Sequence, residues 1–146
     1  MRPLELLAPA KDLQSGIAAI SCGADAVYIG GPQFGARAAA GNSITDIQKL
    51  VTYAHRYSAK VYVAINTLLY DNEISLALHL AHQAWDSGVD ALIIQDFGLL
   101  ETNLPPIPLF ASTQTNNATP QKVKFLEEAG FSRVILAREL NLKQIK

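Results

Sequence analysis

One cysteine, one tryptophan, one methionine and a charged fraction of 17% mark what this 146-residue chain does without. The lone Cys22 excludes an internal disulfide and any all-cysteine metal site within the chain, and it fits a reduced compartment. Charge is scarce and balanced. Twelve Lys and Arg against thirteen Asp and Glu leave a formal net charge of -1, so nothing draws the whole chain to nucleic acid. Any RNA or DNA contact has to come from a local patch or from chain not present here. No apolar run approaches the roughly 18 residues of a membrane span. The opening Met1-Arg2-Pro3-Leu4-Glu5 sets an acid where a signal peptide needs its apolar stretch. The expectation is a cytoplasmic protein with no membrane partner. There is no His-Glu-x-x-His pair for zinc and no Gly-x-Ser-x-Gly elbow for a serine nucleophile.

What is present is apolar: 49% of residues, enough to build a core that offsets chain entropy. Short runs of Val, Ile, Leu and Tyr predict strands at Leu4–Ala8, Ala26–Gly30, Lys60–Ile65, Ala91–Gln95, Leu109–Ser112 and Arg133–Ala137. Several, such as Val61-Tyr62-Val63-Ala64-Ile65, are apolar on both faces, as parallel strands covered on both sides are.

Between the strands lie helical patterns. Ser43 and Asp46 resemble a capping box ahead of the stripe Ile44, Ile47, Leu50, Val51 and Ala54. Ile74, Ala77, Leu78, Ala81, Ala84 and Trp85 form a second stripe, and Thr119-Pro120 starts a third through Val123, Leu126 and Ala129. Three phrases join a helix to the next strand in the same way: Gly23-Ala24-Asp25, Gly88-Val89-Asp90 and Gly130-Phe131-Ser132.

Six strands, about five completed helices and the opening turn of a sixth at 141–146 predict an α/β fold of about six βα units. A closed (β/α)₈ barrel takes about 250 residues. The expected architecture is therefore one N-terminal portion of a TIM-like barrel over residues 1–146, short of closure; an open doubly wound sheet is the other solution. The unfinished last helix favours the barrel. A barrel stopped there leaves two strand edges unpaired, which predicts self-association through them.

In either architecture ligands sit beyond the carboxyl ends of the strands. Strand two runs into a glycine-rich turn ending in Arg37, a side chain suited to clamping a carboxylate or phosphate. That turn has neither the Gly-Lys-Ser/Thr ending of a P-loop nor the spacing of a dinucleotide site. Asn66 follows strand three, Gln95 and Asp96 end strand four, and Ser112-Thr113-Gln114-Thr115-Asn116-Asn117 leaves strand five. From this last run Ser112, Gln114 and Asn116 are candidate substrate contacts, although such a run also suits a loop that satisfies its own backbone. Strand six delivers Arg138 and Glu139 to the same rim. His55, His79 and His82 fall in helix patterns off the apolar stripes, and Cys22 ends helix one, so all four are expected to be structural or solvent-facing. The residues assemble no nucleophile with its base and no metal ligand set.

Five phrases in order, Glu5-Leu6-Leu7-Ala8-Pro9-Ala10, Gly23 to Gly30, Phe34-Gly35-Ala36-Arg37, Ser112-Thr113-Gln114 and Ile135 to Leu140, resemble the amino-terminal region of peptidase family U32, the collagenase-like proteases. Lys11 departs from the glycine that many members carry after the Ala-Pro-Ala phrase. The resemblance implies a TIM-like barrel continuing past Lys146 and, in several members, downstream cysteines that hold an iron–sulfur cluster. It also implies hydroxylation of tRNA or ribosomal RNA bases, or proteolysis, by the full-length protein. The expectations are thus no cofactor held by this chain, an RNA or peptide substrate for the whole protein, and no turnover by the 146 residues alone. A noncatalytic binding or scaffold unit is the third reading.

Overall fold

The computed structural model describes residues 4–35 and 41–145. Six strands, β1 Leu7–Ala10, β2 Ala26–Gly30, β3 Lys60–Ile65, β4 Ala91–Ile94, β5 Leu109–Ala111 and β6 Arg133–Val134, form one parallel sheet in the order β1-β2-β3-β4-β5-β6. Strictly sequential pairing separates the two architectures. A doubly wound sheet reverses its strand order partway and carries helices on both faces, whereas here every crossover steps in one direction. Side chains divide accordingly. Val27, Ile29, Val61, Val63, Ile65, Leu92 and Ile94 pack under the helices. Their alternates Ala26, Tyr62, Ala64, Ala91, Ile93 and Phe110 form a second cluster that contains no helix residue. The sheet is a curled half-barrel with its helices outside.

The helices are α1 Leu13–Ser21, α2 Ile44–Arg56, α3 Ile74–Asp86, α4 Pro120–Glu128 and a single turn, α5, at Leu142–Ile145. Asp12 and Ser15 close a reciprocal capping box on α1. At α2 the Ser43 hydroxyl accepts the Asp46 N–H but donates to the Asp46 carboxylate at 2.8 Å, because aspartate is too short to reach back to the Ser43 backbone. Thr119 caps α4 ahead of Pro120 as expected.

Three expectations need correction. The first strand lies three residues later than Leu4: Leu4 is 99% exposed, and pairing runs from Leu7↔Ala26 to Ala10↔Ile29. Pro9, which lacks a donor, is tolerated there because β1 is an edge strand. The count of about five completed helices is one too many. Between β4 and β5 the chain makes only a 3-10 turn, Phe97–Glu101, since Pro105, Pro106 and Pro108 break any continuing helix. On α3 the buried stripe is Ala77, Leu80, Ala81 and Ala84, and Trp85 is exposed. Leu80 turns inward beneath Gly31, where an added Cβ would meet its Cδ2 at 3.1 Å. No helix among the described residues is long and apolar enough to cross a membrane.

The three repeated phrases form one structural joint. Gly23, Gly88 and Gly130 adopt φ of 99°, 81° and 101°. The next N–H then reaches the carbonyl five residues back, Ala24 to Ala19, Val89 to Ala84 and Phe131 to Leu126, at 3.0–3.2 Å. The residue after that bonds the preceding strand: Asp25 to Leu6, Asp90 to Val61 and Ser132 to Leu109. The α2–β3 connection makes the same joint with Ser58 at φ 57°. A Cβ in that conformation is strained, so Ser58→Gly is expected to stabilise the protein by up to about 1 kcal/mol, read as a raised melting temperature.

Inside the amino-terminal end of the half-barrel, Tyr62 and Phe110 meet edge to face at 4.9 Å. The Arg133 guanidinium lies 4.5 Å from the Phe110 ring centre. Glu5 ties the group together: it accepts the Tyr62 hydroxyl at 2.9 Å, pairs with Arg133, and has Lys60 at 3.8 Å. This pair spans the sheet, since Glu5 precedes the first strand and Arg133 begins the last.

Candidate functional site

The carboxyl ends of the strands surround a cavity of about 840 Å³. Its floor is apolar, from Leu7, Pro9, Ala64, Ile93 and Ile135 on the concave face, and its rim is polar. This is where a barrel positions ligands, because side chains leaving the strand ends converge there while the loops stay free to vary.

Four of the nine sequence candidates line this cavity: Asn66, Ser112, Gln114 and Arg138. Asn66 is fixed through its backbone, whose N–H donates to the Phe34 carbonyl at 2.8 Å, and its amide approaches the Ser112 hydroxyl at 3.4 Å. Ser112 caps the 3-10 turn Thr113–Thr115 by accepting the Gln114 N–H. Gln114 and Arg138 also border a smaller recess of about 310 Å³, and there Asn116 and Glu139 join them. Gln95 and Asp96 line neither space. Asp96 holds two loops together instead, one oxygen accepting the Leu69 N–H at 2.9 Å and the other the Gly98 N–H at 2.8 Å. Arg37 lies outside the described residues.

The polar run after β5 is divided: Ser112, Thr113 and Gln114 line the cavity, Asn116 is exposed on the smaller recess, and Thr115 and Asn117 are buried scaffolding. Asn117, completely buried, donates to the Ser112 and Ile135 carbonyls at 2.9 and 2.8 Å and accepts from the Thr115 hydroxyl at 2.6 Å. It welds the exit of β5 to that of β6.

Sequence reasoning passed over Lys11, Tyr28 and Asn42, all on the cavity wall. Lys11 directly follows β1, so the strand-end rule contains it. Asn42, buried, donates to the Lys11 and Gly30 carbonyls at 3.0 and 3.1 Å and so fixes the backbone on both sides of that wall. Tyr28 had a signal too: it shares the parity of Ala26 and Gly30, opposite to the helix-facing Val27 and Ile29.

Electrostatically the cavity differs from the chain as a whole. Lys11 and Arg138 are the charged residues on its described lining, both cationic, and neither makes a salt bridge among the described residues. Two cations over an apolar floor attract anionic ligands. The histidines stand elsewhere: His55 bonds Asp90 at 3.0 Å and His82 donates to the Asn103 carbonyl at 2.9 Å. Among the described residues no histidine stands beside Ser112. Among the described residues no group of three or more His, Cys, Asp or Glu could hold a metal ion.

The profile of peptidase family U32 matches residues 11–146. A 23S rRNA 5-hydroxycytidine synthase of Escherichia coli (strain K12) is 55% identical over 98% of this chain and 22% of its own length. A tRNA hydroxylation protein P1 of Bacillus subtilis (strain 168) is 35% identical over 97% of this chain and 35% of its own. The chain thus spans about a quarter to a third of these relatives. The solved structure of a U32 peptidase superposes with a TM-score of 0.71 at 15% identity, covering 93% of this chain and 60% of that one, a likeness of fold. With the family profile covering all but its first ten residues, the chain belongs to peptidase family U32.

Proposed function

We propose that these residues form one wall of the substrate pocket of an RNA base-hydroxylating enzyme whose remaining parts lie outside them. The observation that carries this is the 55% identity, over nearly the whole wall, to a protein that makes 5-hydroxycytidine in ribosomal RNA. The geometry agrees with it. A cytidine must leave its stack to be modified, and a cavity with an apolar floor, amide side chains on its wall and cations at its rim suits an extruded nucleotide with its phosphates. A ribosomal RNA substrate supports a cytoplasmic setting.

Replacing a C–H bond with C–OH removes two electrons and adds an oxygen atom, and the described side chains lining the cavity include no cysteine to take up those electrons. The residues here do not fit an iron–sulfur cluster: Cys22 is the one cysteine, exposed at the end of α1. A cluster, if the full-length protein uses one, draws its ligands from other residues. In this reading the remaining chain also pairs with the open edges of β1 and β6 and closes the barrel, so residues 1–146 alone are inactive. Among the described residues the partners of Ser112 are an amide and an N–H, not a base, so its surroundings do not favour peptide hydrolysis.

Nucleoside mass spectrometry of ribosomal RNA from a strain lacking the gene tests the proposal. Loss of 5-hydroxycytidine, restored by the full-length gene and not by codons 1–146, is the expected result. Unchanged 5-hydroxycytidine in the deletion strain overturns it.

A further inference from the structure

Strands β2 and β3 set two tyrosines side by side on the concave face, where Tyr28 and Tyr62 are register partners. The fold uses them differently. Tyr62 is 1% exposed, its ring packed on Phe110 and its hydroxyl given to Glu5. Tyr28 is half-buried on the cavity wall, and among the described residues its hydroxyl has no hydrogen-bond partner. Partly buried tyrosine hydroxyls ordinarily find one, so a ring and a free hydroxyl presented together to a cavity are an unused recognition surface. The cavity volume of about 840 Å³ falls in the range, on the order of 300–1,000 Å³, of pockets that enclose a small organic ligand.

Building on the RNA-hydroxylase reading above, we infer that Tyr28 is the base-recognition residue of this pocket. The pyrimidine ring of a single nucleotide packs on its ring, the hydroxyl makes a hydrogen bond to the base or ribose, and the flanking phosphates lie toward Lys11 and Arg138. The ligand class is a pyrimidine nucleotide within single-stranded RNA. Stacking on one aromatic face is tolerant of base identity, so discrimination falls to the hydroxyl and to the Gln114 amide on the same cavity lining.

The test uses the full-length protein and a short labelled single-stranded RNA containing cytidine, with wild type, Tyr28→Phe and Tyr28→Ala compared by direct titration and by thermal unfolding. Removal of the ring is expected to weaken binding by about fivefold or more, and removal of the hydroxyl alone by about twofold to tenfold. Tyr28→Phe keeps the packing and is expected to melt with the wild type, so a binding loss in that variant is not a folding defect. Cytidine monophosphate is expected to compete and inorganic phosphate to compete far less. If wild type binds the RNA and both variants bind equally well, the assignment of Tyr28 fails while the RNA reading stands. Equal competition by inorganic phosphate makes the cavity a simple anion site and also overturns the assignment. If wild type binds no RNA, the underlying reading falls and the assignment with it.

Discussion

Replacing Lys11 and Arg138 together by alanine in the full-length protein is expected to weaken single-stranded RNA binding by about a hundredfold, roughly tenfold for each lost charge-assisted contact. Lys11 directly follows β1 and Arg138 lies four residues beyond β6, both on the lining of one cavity whose described residues include no acidic side chain. Salt dependence gives the sharper signature. Each phosphate contact on a single strand contributes about 0.7 to the slope of log affinity against log salt, so the double variant should lose about 1.4. Stability should hardly change, within about 0.5 kcal/mol, because neither side chain makes an internal salt bridge. An unchanged salt slope would show that the cavity does not touch the RNA backbone.

At the opposite end of the half-barrel the expected effect is on stability. Glu5→Ala should cost about 2–3 kcal/mol at neutral pH, because it strands the Arg133 guanidinium and the Tyr62 hydroxyl in a partly enclosed space. The pair is not fully buried: Arg133 keeps 40% of its side chain in solvent, which holds the figure below that of a sealed ion pair. The contribution depends on pH with a definite sign. Burial pushes the Glu5 carboxyl up, but the hydrogen bonds from Arg133 and Tyr62 and the charges of Arg133 and Lys60 outweigh it, so its pKa lies below the ordinary 4.5. A carboxyl more acidic in the folded chain than in the unfolded one stabilises fully above about pH 4.5. That stability is lost as pH falls through the folded value. Burial and the neighbouring Glu5 push the Tyr62 hydroxyl the other way, upward, so it stays protonated and keeps donating. Unfolding curves of wild type and Glu5→Gln should therefore differ most at neutral pH and converge on acidification. Parallel curves would assign the acid sensitivity to other carboxylates.

Much of the fold was legible because its signals are local. Most strands from Ala26 onward announce themselves by β-branched density, and the repeated glycine phrases mark three of the four helix-to-strand joints. The fourth escaped because Ser58 stands in the glycine's place, and a left-handed serine leaves no trace in the sequence. Leu4 and Leu6 read as strand because they are apolar, yet only pairing with β2 decides where β1 starts. The site was half legible for a related reason. Counting to the end of a strand finds Asn66, Ser112, Gln114 and Arg138. It does not show that Asp96 has spent both oxygens on backbone N–H groups, or that Asn117 is sealed in while Gln114 is open. Tyr28 was hidden in plain view as one more apolar strand residue, since its value lies in a hydroxyl whose partners only the folded chain reveals.

The sequential strand order also has a kinetic meaning. Each strand pairs with the next one made, so these six strands can assemble during synthesis by adding one hairpin-free crossover at a time. The Glu5–Arg133 pair is the exception, bridging 128 positions. It cannot form until β6 has left the ribosome, which makes it a latch set after these six strands are laid down. Loosening that latch should therefore quicken unfolding while leaving the folding rate nearly untouched.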